Sequence, residues 1–159
     1  MTAQDQHPGW PVADFDAVRR LRVVAATAPG AVRVAETVFA LPFEQVWAVA
    51  QDLERTMPLW IPDVRTVRLS GPPDPAGRLT ARIRGHSRLR ATFGIELRPG
   101  WCLMQSRFVL GGMAAHPEPD GTTRFAFLGG LTFPGARRVA PLLRPFAGTP
   151  ALERFAALL

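Results

Sequence analysis

Alternation of apolar and polar residues with a period of two runs through the middle of this chain. Leu79, Ala81 and Ile83 fall on one side and Arg78, Thr80, Arg82 and Arg84 on the other. The sorting repeats for Leu89, Ala91, Phe93, Ile95 and Leu97 against Arg88, Arg90, Thr92, Glu96 and Arg98, and again for Phe125, Phe127, Leu131 and Phe133 against Arg124 and Thr132. Turn residues punctuate the runs. Gly71 to Gly77 separates a strand at 64–70 from one at 78–84, Gly85-His86 begins the next turn, and Pro99-Gly100 and Asp120-Gly121 mark two further hairpins. The pattern predicts an antiparallel sheet with one oily and one solvated face, which also accounts for most of the arginines without a ligand.

Helical spacing replaces alternation at both ends. A helix is predicted from Asp14, with Phe15, Val18, Leu21 and Val24 on one face, ending at Ala28-Pro29-Gly30. Such an extension can pack on the sheet or swap onto a neighbouring copy. A strand from Val32 to about Phe39 then meets Pro42, which suits the last extended position before a helix over 43–52; a shorter helix or turn ends at Pro58. At the far end Val139, Leu142, Leu143 and Phe146 form one stripe, and Leu152, Phe155 and Leu159 another. Proline inside a helix costs about 3 kcal/mol. Pro141, Pro145 and Gly148-Thr149-Pro150 therefore predict a kinked or two-piece helix, with Thr149 as cap and the oily sheet face as its partner.

Composition narrows the classes. The 159 residues, 47% apolar, amount to one ordinary α+β domain with a sizeable core. No run reaches the ~18 apolar residues of a membrane span, and the first residues lack a secretory profile, so a cytoplasmic location is expected. Every one of the 19 basic residues is arginine, and lysine, asparagine and tyrosine are absent, as in the product of a GC-rich genome. The net charge of +6 is spread along the chain without a long basic run. A solvated sheet face explains it better than nucleic-acid binding, for which no motif spacing is present. Contact of the arginine-rich face with a membrane surface or another protein is a weaker expectation.

Chemistry is sparse. His7, His86 and His116 share no metal-ligand spacing, and a single cysteine, Cys102, can form neither an intramolecular disulfide nor a zinc cage alone, so neither metal nor cofactor is expected. Glu36, Asp52, His86, His116 and Glu118 are candidate acids or bases, each better explained by a surface or capping role. Cys102 beside Leu103 and Met104 reads as apolar wall, Ser106 lacks the glycines of a nucleophile elbow, and neither Gly111-Gly112 nor Gly129-Gly130 has the spacing of a phosphate loop.

The order of elements, with Pro42, Glu44, Val46, Trp47, Asp52, Trp60, Pro62, Gly77, Pro99, Gly121, Thr122 and Pro134 in place, resembles the START-like or SRPBCC superfamily of helix-grip proteins, which includes polyketide cyclases and lipid carriers. The resemblance covers about Val32 to Leu159 and leaves residues 1–31 as an added tail and helix. It implies a curved antiparallel sheet of about seven strands around a long, kinked C-terminal helix, two short helices after the first strand, and an apolar ligand held between sheet and helix. Trp60, Phe93, Ile95, Met104, Phe108, Met113, Phe125, Phe127, Leu143 and Phe146 would line that space. Aromatic and Met residues on a buried face are also ordinary core. Small residues at Ala91, Gly94, Gly111, Gly112, Ala114, Gly129 and Gly130 and adaptable Met104 and Met113 argue for room inside. The resemblance implies binding of a lipid, isoprenoid, polyketide or aromatic metabolite, with a polyketide cyclase or aromatase as the alternative.

Overall fold

The computed structural model describes residues 15–141 and 149–159. Helix α1 (Ala17–Thr27) leads into strand β1 (Ala31–Phe39), helices α2 (Phe43–Gln51) and α3 (Leu53–Trp60), and strands β2 (Val64–Leu69), β3 (Arg78–Gly85), β4 (Arg90–Arg98), β5 (Trp101–Gln105), β6 (Val109–Pro117) and β7 (Thr123–Leu131). Two short helices, α4 (Ala136–Val139) and α5 (Thr149–Ala156), follow. The strands form one antiparallel sheet in the order β1-β7-β6-β5-β4-β3-β2, so the last strand returns beside the first.

The predicted turns have physical counterparts. Pro42 sits at φ −65° and ψ 152°, still extended, as the residue before α2. Asp120 Oδ1 accepts from the Thr122 backbone N–H at 3.0 Å and from its hydroxyl at 2.6 Å, closing the β6–β7 turn at Gly121, whose φ is +84°. Helix α3 runs two residues beyond Pro58, where a stop was expected. Its length is fixed by burial, because Leu53, Met57 and Trp60 on one face are all within 1% of full burial.

The inner face of the sheet carries the main core. Val46, Trp47, Met57 and Trp60 from α2 and α3, and Leu152 and Phe155 from α5, pack on Val67, Leu79, Ala81, Ile95, Met113 and Phe125. Phe125 and Phe155 stack at 4.5 Å with rings 6° apart, and Trp60 meets both edge-on. The long, kinked or two-piece C-terminal helix expected over 136–159 is not confirmed by the described residues. Its described parts are the four-residue α4 and the eight-residue α5, while Leu142, Leu143 and Phe146 lie outside them. Helix α5, described from Thr149, turns Leu152 and Phe155 into the inner core.

The outer face is not uniformly wet. Helix α1 lies across β1, β6 and β7 and builds a second core, in which Val18 and Leu21 meet Trp101, Leu110, Ala114, Ala126 and Leu128. Arg20 sits over the Trp101 ring, 5.7 Å from its centroid. Consequently β6 and β7 are buried on both faces, and only the β2–β3–β4 half keeps the strict inside-outside alternation. Asp16 caps α1 by accepting from the Arg19 backbone N–H at 2.8 Å, and the same carboxylate takes Arg124 Nη2 of β7 at 3.0 Å. No described helix is long and apolar enough to cross a membrane.

Candidate ligand-binding site

One end of the inner face is hollow. The register brings the starts of β1, β6, β4 and β2 and the ends of β7 and β3 to the same end of the sheet, and a cavity of about 300 Å³ opens there against Met57, Ile61 and Ala140. Phe93, Met104, Phe127, Ile83 and Val109 wall it. Its floor is an opposed glycine pair, because Gly111 of β6 faces Gly129 of β7 directly and neither carries a side chain to fill the space. Ala91 withdraws volume on the β4 side.

The far end of the same face is solid. Trp60, Phe125, Phe155 and Phe39 form one aromatic cluster, with Trp60 and Phe127 in edge contact at 5.0 Å across the boundary. Among the residues expected to line a cavity, Phe93, Met104 and Phe127 do so. Trp60, Ile95, Met113 and Phe125 stand in the packed core beyond it. Phe108 is half exposed on the β5–β6 turn, edge-on to Phe133. Leu143 and Phe146 lie outside the described residues. Period-two sorting cannot separate these groups, since Phe93 and Ile95, or Phe127 and Phe125, two apart on one strand, share a face whether they border the cavity or not.

The small residues divide as well. Gly112 lies under α1, where an added Cβ would come within 3.1 Å of Leu21 Cδ1, and Ala114 belongs to the same outer core. Both make room for the helix, not for a ligand. Leu89, expected on the inner face, precedes β4 and stands 71% exposed at the cavity mouth.

Three charged residues border the cavity: Arg33, Asp63 and Arg90. Asp63 adopts φ +64°, a left-handed conformation that aspartate tolerates better than most residues. Its carboxylate accepts from the Ser87 backbone N–H at 2.8 Å and from the Ser87 hydroxyl at 2.6 Å, and its carbonyl accepts from His86 N at 2.9 Å. This clamps the β3–β4 hairpin beside the mouth. It also requires Gly85, where a Cβ would meet Asp63 Oδ2 at 2.6 Å.

The remaining candidate acids, bases and nucleophiles face elsewhere. Glu36 pairs with Arg22 of α1 on the outer face, Asp52 with Arg55, and Glu118 with Arg124. His86 is exposed in the β3–β4 turn, and His116 sits near the end of β6 opposite Arg124, away from the cavity. Burial pushes the Cys102 thiol up to about 12, which leaves it an unreactive part of the core. Ser106 exchanges hydrogen bonds with Val109 in the β5–β6 turn.

No known family's sequence profile matches the chain, and no curated protein matches it. Solved structures match it well. A protein from Thermus thermophilus superposes with a TM-score of 0.56 at 18% identity, over 80% of this chain and 98% of that one. A START superfamily protein from Mycobacterium smegmatis gives 0.53 at 16%, over 80% and 99%. An aromatase/cyclase from a Streptomyces species gives 0.52 at 14%, over 79% and 87%. The chain therefore has a START-like fold of the SRPBCC kind, and at these identities the likeness is one of fold.

Proposed function

We propose that this protein binds an apolar small molecule, such as a lipid, isoprenoid, polyketide or aromatic metabolite, in the cavity between the sheet and α3. The observation that carries this reading is the glycine-floored hollow itself. A packed domain of this size closes voids larger than a water molecule, whereas this one keeps about 300 Å³ open behind Phe93, Met104 and Phe127. That volume lies at the lower end of small-molecule sites. Transfer of apolar ligand surface into it is favoured by roughly 25 cal/mol per Å².

Binding fits better than ring-closing catalysis. A cyclase needs titratable groups converging on the substrate, and the one carboxylate at the described cavity wall, Asp63, is committed to Ser87. Protein purified from its own host should release an apolar compound on solvent extraction, with a matching mass increment in native mass spectrometry. Recovery of apo protein alone, together with no binding of apolar probes in solution, would sink the reading.

A second reading concerns the outside of the mouth. Leu89 and Phe108 stand exposed on neighbouring hairpin tips among Arg88, Arg90 and Arg107. This combination supports contact with an anionic membrane surface, from which an apolar ligand could be exchanged.

A further inference from the structure

Resting on that cavity, we infer that its ligand carries an anionic head, a carboxylate, gripped by Arg33 with Arg137 where β1 begins. Alternation along β1 sends Val32 and Val34 to the outer core under α1 and Ala35 and Phe39 to the inner one. Arg33 therefore projects from the inner face. Across β1 and β3 to β7 it is the one charged residue that the alternation places on this side. Its side chain is exposed on the edge strand, where an anionic group of a ligand can reach it. Among the described residues Arg33 has no ion pair, and directly across from it on β7 stands Gly129, which offers neither cover nor partner.

A second cleft of about 290 Å³ adjoins the cavity, and the two share Ala31, Arg33 and Ala140. It runs between the end of α1 and α4 and brings in Arg137. Arg137 Nε donates to the Gly30 carbonyl at 3.2 Å, which fixes the side chain and leaves its terminal nitrogens unspent by that bond. Arg33 and Arg137 thus line one cleft. A planar carboxylate, able to accept paired N–H bonds from a guanidinium, is the group that suits two arginines placed there. The cavity's own acid does not serve: Asp63 belongs to the opposite rim, held by Ser87. An apolar body behind Phe93 and Phe127 and a carboxylate at Arg33 describe an amphipathic acid.

The test uses two probes with the same tail, decanoate and 1-decanol, titrated calorimetrically into the full chain. Decanoate should bind about tenfold more tightly at low salt. Added salt should weaken decanoate and leave 1-decanol unchanged, a comparison that needs no variant. Arg33→Gln, on an exposed side chain, should erase most of the difference without changing 1-decanol affinity, and Arg137→Gln should reduce it. Equal binding of the two probes, or a variant that weakens both alike, overturns the anion site while leaving the apolar cavity standing. Binding of neither probe overturns the cavity reading and this inference with it.

Discussion

Gly129 and Gly130 are neighbours in β7, yet they are glycine for different reasons. A Cβ on Gly129 would meet only the Phe127 ring, at an ordinary 3.6 Å, and would point into the cavity. A Cβ on Gly130 would strike the Ala31 carbonyl oxygen at 2.1 Å and Val32 Cα at 2.5 Å. Gly129→Val should therefore fold with unchanged or slightly raised stability, because a β-branched residue suits a strand by up to ~1 kcal/mol, while 1-decanol affinity falls about tenfold. Gly130→Ala should lower stability by about 1–3 kcal/mol or more through forced separation of β1 from β7. Thermal melts and probe titrations separate the two; destabilisation by Gly129→Val with normal binding would place the hollow elsewhere. None of this was legible in the letters, where both glycines counted equally as missing volume. Backbone proximity across strands is a property of register and twist, and no single strand's sequence records it.

Helix α1 shows how one carboxylate can serve two elements. Asp16 caps the helix and, through Arg124 and Glu118, ties it to β7. Burial alone would raise its pKa, but the hydrogen bonds from Arg19 and Arg124 outweigh that and hold it below its ordinary 3.8. A carboxyl whose pKa is lower folded than unfolded adds stability above its unfolded value, and that stability disappears as pH falls through the folded value. Amide protection in α1 should accordingly drop before that of the sheet as the solution is acidified from about pH 5 to pH 2. Arg124→Gln should loosen α1 already at neutral pH, costing about 1–3 kcal/mol. Hydrogen exchange with α1 and the sheet opening together at every pH would refute separate anchoring. Helical spacing of Val18, Leu21 and Val24 marks this helix, and a break in the sheet's alternation marks its docking site. Trp101, Leu103, Leu110, Ala126 and Leu128 break the alternation by placing apolar residues on the supposedly wet side.

Over the whole molecule, α1 divides the outer face into a covered half and a charged half. On the uncovered β2–β3–β4 half, Arg68 stands directly opposite Arg82 and Arg84 opposite Arg90, and none of the four has an ion pair among the described residues. Like charges in register are unfavourable for a sheet. An anionic surface would offset them by about 1 kcal/mol per arginine near it. The chain should co-sediment with phosphatidylserine vesicles more than with phosphatidylcholine vesicles, and salt should abolish the difference. Arg82→Gln with Arg84→Gln and Arg90→Gln should remove it, and Leu89→Ser should weaken it at constant charge. Equal sedimentation with both vesicle types would leave these arginines as a solvated face and nothing more.

Burial on one side of a strand imposes a period that can be counted along the chain, so the strands, the α+β class and most of the inner residues were legible in the letters, although Leu89 and Phe108 turned out exposed. The chain's elements also carried the START-like resemblance, since turns at Pro42, Pro99 and Gly121 are local events. Which inner residues pack solidly and which border empty space, that α1 covers half of the outer face, and that Arg33 borders the cavity while Arg137 lines the cleft beside it emerge only from the assembled sheet. Those outcomes depend on register and on contacts between residues far apart in the chain, such as Arg137 with Gly30. Local periodicity fixes the direction of a side chain, while the distance to what lies opposite is set only when the whole sheet has closed.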